Sequence, residues 1–189
     1  MLTAHGLALR PAVRVAGANM VVAVELTRRG RTGVVFDWSE VGWFGAVRGL
    51  VVACAFENIT EYVWHRILHT RWLYARLHKL HHYYKAPTPF DDMFVHPLEV
   101  SGYYLILYGP VYLFRLHWSS LLGYAAIMGI TGMLDHSGIR FAVPGIYTTE
   151  DHDIHHELYL YNYGFPFPWV DQLCGTYRAG PGTAKPKAT

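Results

Sequence analysis

Apolar residues concentrate in four segments of helix-sized length, and the regular spacing of polar residues within them predicts an all-α fold. Residues 15–26 form a short run that polar residues interrupt. It is too short to cross a bilayer of about 30 Å, so we predict a surface or interfacial helix there. Residues 41–64 form a longer segment, and residues 97–114 and 116–134 form two more.

The last two apolar segments are joined by a short connector, which predicts a helical hairpin. The first segment carries one charge, Glu99, and the second carries none. Their lengths lie near the lower limit for a membrane-crossing helix, so we interpret them as a membrane hairpin. A buried hairpin in a soluble bundle is the alternative. A hairpin returns the chain to its starting side, and the basic residues there predict that this side is cytoplasmic. The number of complete crossings stays open.

A polar stripe interrupts the segment at 41–64 and continues past its end. Glu57, Glu61, His65 and His69 recur every four residues, which places them on one face of a helix. Ionisable residues within apolar segments usually face a protein interior or a functional cavity. We therefore expect this face to line a site within an integral membrane helical bundle.

Composition narrows the class of protein. The chain has 189 residues, of which 52% are hydrophobic and 16% are charged, against about 25% charged in ordinary soluble domains. The net charge of +2 argues against nucleic-acid binding, and two cysteines exclude a disulfide framework. We divide the chain into an N-terminal interfacial or membrane-associated segment (1–40), one main domain (41–178) and a disordered tail (179–189).

Histidine is the most unusual feature, with twelve in the chain. The sequence contains one H-x-x-x-H box at 65–69, two H-x-x-H-H boxes at 78–82 and 152–156, and Asp135 followed by His136. A helix brings positions i, i+3 and i+4 to one face, so we expect the imidazoles of each box to converge. The predicted metal ligands are His65, His69, His78, His81, His82, His136, His152, His155 and His156. His96 is a further candidate, and His117 is interpreted as an ordinary hydrogen-bonding histidine.

The number of ligands indicates two ions, because a structural zinc takes only four. We therefore predict that the helical bundle carries a cytosolic, histidine-rich di-metal cap. Imidazole suits zinc, copper and iron, so the spacing leaves the metal open. We predict that Glu57 and Glu61 orient His65, as carboxylates often do for ligating histidines, or else form salt bridges with arginines. Asp135 and Asp153 are similar candidates. Residues expected to shape a lid and the interfacial packing are Asn162, Tyr163, Trp169, Asp171 and Gly175.

These boxes and their order resemble the fatty acid hydroxylase superfamily, in its sterol desaturase branch. The motifs are YVWHRILH (62–69), LHKLHH (77–82), HPLE (96–99), HSG (136–138), HDIHH (152–156), NYG (162–164) and WVDQLCGTY (169–177). The fatty acid hydroxylase branch places another histidine at the position of Gly132 here. That departure argues against a fatty-acid 2-hydroxylase and makes His96 a candidate substitute ligand.

The resemblance implies an integral membrane, non-haem di-iron enzyme that hydroxylates or desaturates a lipid with O₂. It implies two iron ions, which zinc can replace in purified protein, and electrons from NAD(P)H through cytochrome b5 or a ferredoxin. The apolar segments, and a tail at 185–189 that is similar to the K-x-K-x-x retrieval signal, predict the endoplasmic reticulum, or the inner membrane if the protein is bacterial. The N-terminal membrane region is shorter than family members often have, so we expect lipid or a second subunit to complete the substrate tunnel. The alternatives are a carotenoid hydroxylase and a non-catalytic zinc-binding membrane protein. The substrate, and the choice between hydroxylation and desaturation, stay open.

Overall fold

The computed structural model describes residues 4–84, 88, 92 and 94–180, and the side chains of residues 4–10 lie outside that description. The described chain is mostly α-helical, as predicted, and the polar stripe and both arms of the hairpin are helices. The α-helices are α1 (Ala4–Arg28), α2 (Gly42–Leu68), α3 (Arg71–Arg76), α4 (Pro97–Leu113), α5 (Trp118–Asp135), α6 (Thr149–Leu158) and α7 (Trp169–Cys174). Two 3-10 helices cover Trp38–Glu40 and His78–Tyr83.

Helix α2 is the central element and packs against both arms of the hairpin, α4 and α5. Buried Ala53 and Cys54 of α2 meet Tyr124 and Met128 of α5 in one apolar cluster. Gly102 of α4 allows a close approach to α2, because a Cβ atom there would lie 2.4 Å from the Trp64 ring. The described hairpin is therefore held tightly against the helix that carries the polar stripe.

Two short strand pairs fix the ends of the helices. Strand β1 (Val34–Val35) pairs in parallel with β2 (Leu116–His117), which ties the α4–α5 connector to the chain before α2. His117 is buried and caps α5, since its Nδ1 accepts a hydrogen bond from the Ser119 amide. Strands β3 (Ala142–Val143) and β4 (Tyr147–Thr148) form an antiparallel hairpin that leads into α6.

Helix α1 is longer than the predicted apolar run and packs along α4. Its buried Ala12 contacts Val95 and Val100 in a separate apolar cluster. None of the helices in the described ranges is both long enough and apolar enough to cross a membrane. The predicted tail extends beyond the described residues, because residues 181–189 lie outside them.

Candidate metal centre

Nine histidines meet at one end of the helices, in two neighbouring groups. The first group draws on the end of α2, on the 3-10 helix at 78–83 and on α6. Its members are His65, His69, His78, His82 and His155. The second group draws on the same 3-10 helix, the end of α5 and α6. Its members are His81, His136, His152 and His156, and within each group the nitrogen atoms that could bind a metal lie within 4.8 Å of one another.

Each H-x-x-H-H box contributes to both groups, which differs from the expected convergence of each box on one point. Successive residues of an α-helix are about 100° apart around its axis, so His155 and His156 point to different sides of α6. The box at 78–82 is a 3-10 helix, in which the His78 and His81 rings stack with centroids 5.4 Å apart. The two groups are therefore adjacent, and α6 and the 3-10 helix at 78–83 each contribute histidines to both.

Backbone carbonyl groups fix the tautomer of at least three of these histidines. The Nδ1 atom of His65 lies 2.9 Å from the Tyr163 carbonyl oxygen, and that of His155 lies 2.7 Å from the Tyr161 carbonyl oxygen. His136 Nδ1 lies 3.0 Å from the Gly132 carbonyl oxygen. A carbonyl oxygen only accepts, so Nδ1 carries the proton and the Nε2 atom of each neutral ring presents a lone pair.

Spacing of the Nε2 atoms fits ligands around one ion. Neighbouring Nε2 atoms of the first group are 3.0–3.2 Å apart, and His82 Nε2 alone has three such neighbours. Two nitrogen ligands at right angles, each about 2.1 Å from an ion, lie about 3.0 Å apart. In the second group, His152 Nε2 lies 3.0 Å from that of His136 and 2.9 Å from that of His156. Lone pairs this close repel one another unless a cation or proton lies between them.

Burial favours the metal-binding form of these rings. Loss of solvation lowers the pKa of His81, His152 and His155 well below the ordinary value, and the neighbouring imidazoles lower it further. These side chains are therefore neutral at physiological pH. Neutral imidazole is the form that ligates a metal ion.

Glu99 supports the first group, a role that sequence reasoning missed. Its carboxylate lies 2.5 Å from His78 Nδ1, and both side chains are completely buried. A carboxylate that accepts a hydrogen bond from the Nδ1–H group of a ligating histidine fixes its tautomer and raises its basicity. The available signal was the lone charge in an otherwise uncharged apolar segment.

The four predicted supporting carboxylates occupy different positions. Neither Glu57 nor Glu61 holds His65, whose Nδ1 is taken by the Tyr163 carbonyl group instead. Glu57 accepts a 2.6 Å hydrogen bond from Tyr124, because its place on α2 faces the hairpin. Glu61 and Asp135 line a cavity beside the histidines. The side chain of Asp153 is exposed, since the face of α6 that carries it points away from both groups.

Residues predicted to shape a lid instead hold the loop between α6 and α7. Buried Asp171 accepts hydrogen bonds from the Tyr163 and Gly164 amides, at 2.9 and 2.6 Å. The Asn162 side chain donates to the carbonyl groups of Asp151 and Arg178. Through these contacts the loop presents the Tyr163 carbonyl group to His65.

Two of the remaining predicted residues lie at helix ends close to this loop. Trp169 begins α7 and packs against the cluster of Tyr62, Tyr163 and Val170. Gly175 ends α7 with a φ of 70°, a conformation that glycine adopts without strain. His96 lies outside both histidine groups and caps α4 by accepting a hydrogen bond from the Leu98 amide.

A cavity of about 460 Å³ opens beside the two groups, between α2, α4 and α5. Its volume falls in the range of small-molecule sites, about 300–1,000 Å³. His65 of the first group and His81, His136 and His152 of the second reach its wall. Most of the remaining wall is apolar or aromatic, with Leu107, Met128 and Phe165 among its residues. A long apolar molecule in this cavity would lie against both groups.

Comparisons with known proteins agree with this arrangement. Residues 50–176 match the family described as fatty acid hydroxylase. Lathosterol oxidase of Rattus norvegicus is 33% identical over 144 residues, which cover 72% of this chain and 47% of that protein. Delta(7)-sterol 5(6)-desaturase erg32 of Schizosaccharomyces pombe is 33% identical over 148 residues, 77% of this chain and 45% of that protein. Methylsterol monooxygenase 1 of Rattus norvegicus is 25% identical over 76% of this chain and 51% of that protein.

The chain thus spans about half the length of the curated relatives it matches. No solved structure gives a significant match. The matched region runs from α2 through α7 and contains all nine clustered histidines. The chain therefore belongs to the fatty acid hydroxylase family.

Proposed function

We propose that this protein is an oxidoreductase that uses two iron ions and O₂ to hydroxylate or desaturate a membrane lipid. The observation that carries the proposal is the convergence of unprotonated Nε2 atoms in two groups beside an apolar cavity. The donor set is rich in imidazole and suits iron, and family membership favours iron over redox-inactive zinc. Each of the two groups would hold one ion.

Bound iron would supply the activation of O₂ and the removal of hydrogen from an unactivated C–H bond. The chain itself supplies position and environment. Tyr163, Tyr161 and Gly132 hold three ligand rings through their carbonyl groups, and Glu99 holds a fourth. The apolar cavity wall excludes water and lays the lipid along both histidine groups.

The names of the relatives support a sterol-like substrate. Two of them are a lathosterol oxidase and a Delta(7)-sterol 5(6)-desaturase, and a third is a methylsterol monooxygenase. Tyr103, Tyr104 and Tyr108 add flat, amphipathic surfaces to the cavity wall. We propose a lipid with a compact, largely apolar body, a class that includes sterols.

Two surface features support the proposed partners. Exposed basic side chains, among them Arg66, Arg71, Arg76 and Lys79, surround the segments that carry the first group. They would attract an acidic electron carrier such as cytochrome b5 or a ferredoxin, reduced by NAD(P)H. Large apolar side chains, including Phe44 on α2 and Leu105 on α4, point outward from the helices. Such patches favour contact with a bilayer, in the endoplasmic reticulum or a bacterial inner membrane.

The test is expression in a host of defined lipid content under ¹⁸O₂, followed by untargeted mass spectrometry of extracted lipids. Incorporated ¹⁸O would show hydroxylation, and the loss of two hydrogens without added oxygen would show desaturation. The control is His155→Ala, which removes one ligand of the first group. A lipid profile that is identical for the wild type, this variant and cells without the protein would contradict the proposal.

A further inference from the structure

Glu61 is a buried carboxyl group that faces the cavity beside the histidines. It lies on α2 one turn before His65, is 8% exposed and lines the cavity wall. Within the part of the chain that the structure describes, its carboxyl group makes no hydrogen bond. The contrast with its neighbours is clear, because Glu57 is bonded to Tyr124, and Asp135 to Tyr147.

An unpaired polar group in such a place is costly. A buried hydrogen-bonding group without a partner gives up its interaction with water and gains no bond in exchange, and the loss is larger for a charged group. Helix α2 packs against both arms of the hairpin, so Glu61 faces the cavity and is largely shielded from bulk solvent. A group that enters the cavity with the ligand would provide the missing partner.

We propose that Glu61 binds a hydroxyl group of the lipid substrate and thereby selects for alcohols in the cavity beside the histidines. This inference rests on the proposed function, since it concerns how the same cavity recognises its lipid. A hydroxyl group suits a carboxyl group in either protonation state, because it donates to an oxygen of a carboxylate and equally to the carbonyl oxygen of a carboxylic acid.

Other polar groups fit the part of the cavity wall around Glu61 less well. A carboxylate would meet Glu57, Glu61, Asp92 and Asp135, which all line the same wall. Among the described residues of that wall, it would find no lysine or arginine as a partner. An ammonium group would approach the two metal ions that we propose for the histidine groups, and would be repelled by them.

The position of Glu61 also limits where oxidation occurs. Side chains four residues apart on a helix are neighbours, with Cβ atoms about 5–6 Å apart. A hydroxyl group held by Glu61 therefore lies within one helical turn of His65, a member of the first group. Oxidation is then expected on the part of the lipid that carries the hydroxyl group, and not at the far end of its apolar body.

The test measures binding without turnover, on metal-loaded protein in detergent under anaerobic conditions. The probes are cholesterol and its 3-methyl ether, and octadecanol and its methyl ether, because the ethers keep the apolar body and lose the hydrogen-bond donor. We expect wild-type protein to bind at least one alcohol about tenfold or more tighter than its ether. In Glu61→Leu this ratio should fall towards one through weaker alcohol binding. Glu61→Gln should show a smaller loss.

Glu25→Leu is the control, because it makes the same kind of exchange at a carboxylate on α1 that pairs with Arg28 and Arg29 and does not line the cavity. It should keep the wild-type ratio. Equal wild-type affinity for alcohols and ethers, no binding of either alcohol, or an unchanged ratio in Glu61→Leu would overturn the inference. If Glu61→Leu fails to fold, the wild-type and Glu61→Gln ratios still decide. Intact discrimination without any lipid oxidation would contradict the proposed function alone.

Discussion

Replacement of Glu99 should weaken one metal site without touching a ligand. Glu99 lies on α4, away from the histidine boxes, and contacts His78 Nδ1 at 2.5 Å. Leucine at this position has a similar volume and no acceptor. In Glu99→Leu the Nδ1–H group of His78 would be left buried without a partner, since this side chain is completely inaccessible to solvent.

The size of the effect follows from that lost acceptor. A buried donor without a partner costs about 1–3 kcal/mol. At about 1.4 kcal/mol per factor of ten, this corresponds to about 5- to 150-fold weaker metal binding. Loss of a carboxylate that supports a ligating histidine typically lowers metal affinity about 10–100-fold, which is the same range. Only one of the two sites should change, because His78 belongs to the first group alone.

The assay is anaerobic competition with a chromophoric chelator, followed by metal analysis of the protein. Wild-type protein should show two tight sites, and Glu99→Leu one tight and one weakened site. Glu57→Gln is the control, because Glu57 is bonded to Tyr124 and does not support a histidine. The Tyr124 hydroxyl group also contacts the Leu107 carbonyl oxygen, so it keeps an acceptor when Glu57 is replaced. Unchanged affinity in Glu99→Leu, or an equal loss in Glu57→Gln, would refute the reasoning.

Three further predictions concern the fold and the ligands. Asp171→Ala should lower the free energy of unfolding, measured by denaturant titration, by about 3 kcal/mol or more. The buried carboxylate accepts hydrogen bonds from two loop amides, and the substitution leaves both without an acceptor. An effect below about 1 kcal/mol would contradict this. Gly102→Ala should cost about 1–3 kcal/mol through overlap with Trp64, whereas Gly17→Ala, in open space on α1, should stabilise slightly in the same assay; equal effects would contradict the close approach. His155→Ala should abolish metal binding at the first group and His117→Ala should not, as measured by metal content; equal losses would contradict the ligand set.

The helices and the histidine set were largely predictable from the sequence. Spacing of four residues put Glu61 and His65 on one buried face of α2, and the low charge of residues 97–134 predicted the hairpin. These signals are local, because each depends on the period of one helix. Local periodicity therefore predicted which histidines come together in the fold.

The division of the histidines and their supporting partners could not be predicted in this way. His81 and His155 each belong to a different group from the other two histidines of their box. The reason is that other helices bring different neighbours to each side of α6 and of the 3-10 helix. The acceptors for His65 and His155 are backbone carbonyl groups of the loop after α6, and any residue type carries such a group. Contacts of this kind depend on tertiary packing, which spacing along one element does not encode.

Iron content per chain tests the central claim most directly. The measurement is elemental analysis of protein purified anaerobically, reconstituted with ferrous iron and freed of unbound metal. The account predicts two irons per chain in the wild type and one in His136→Ala, which loses a ligand of the second group only. Protein that binds zinc but retains no iron, or that holds a single iron unaffected by His136→Ala, would contradict it.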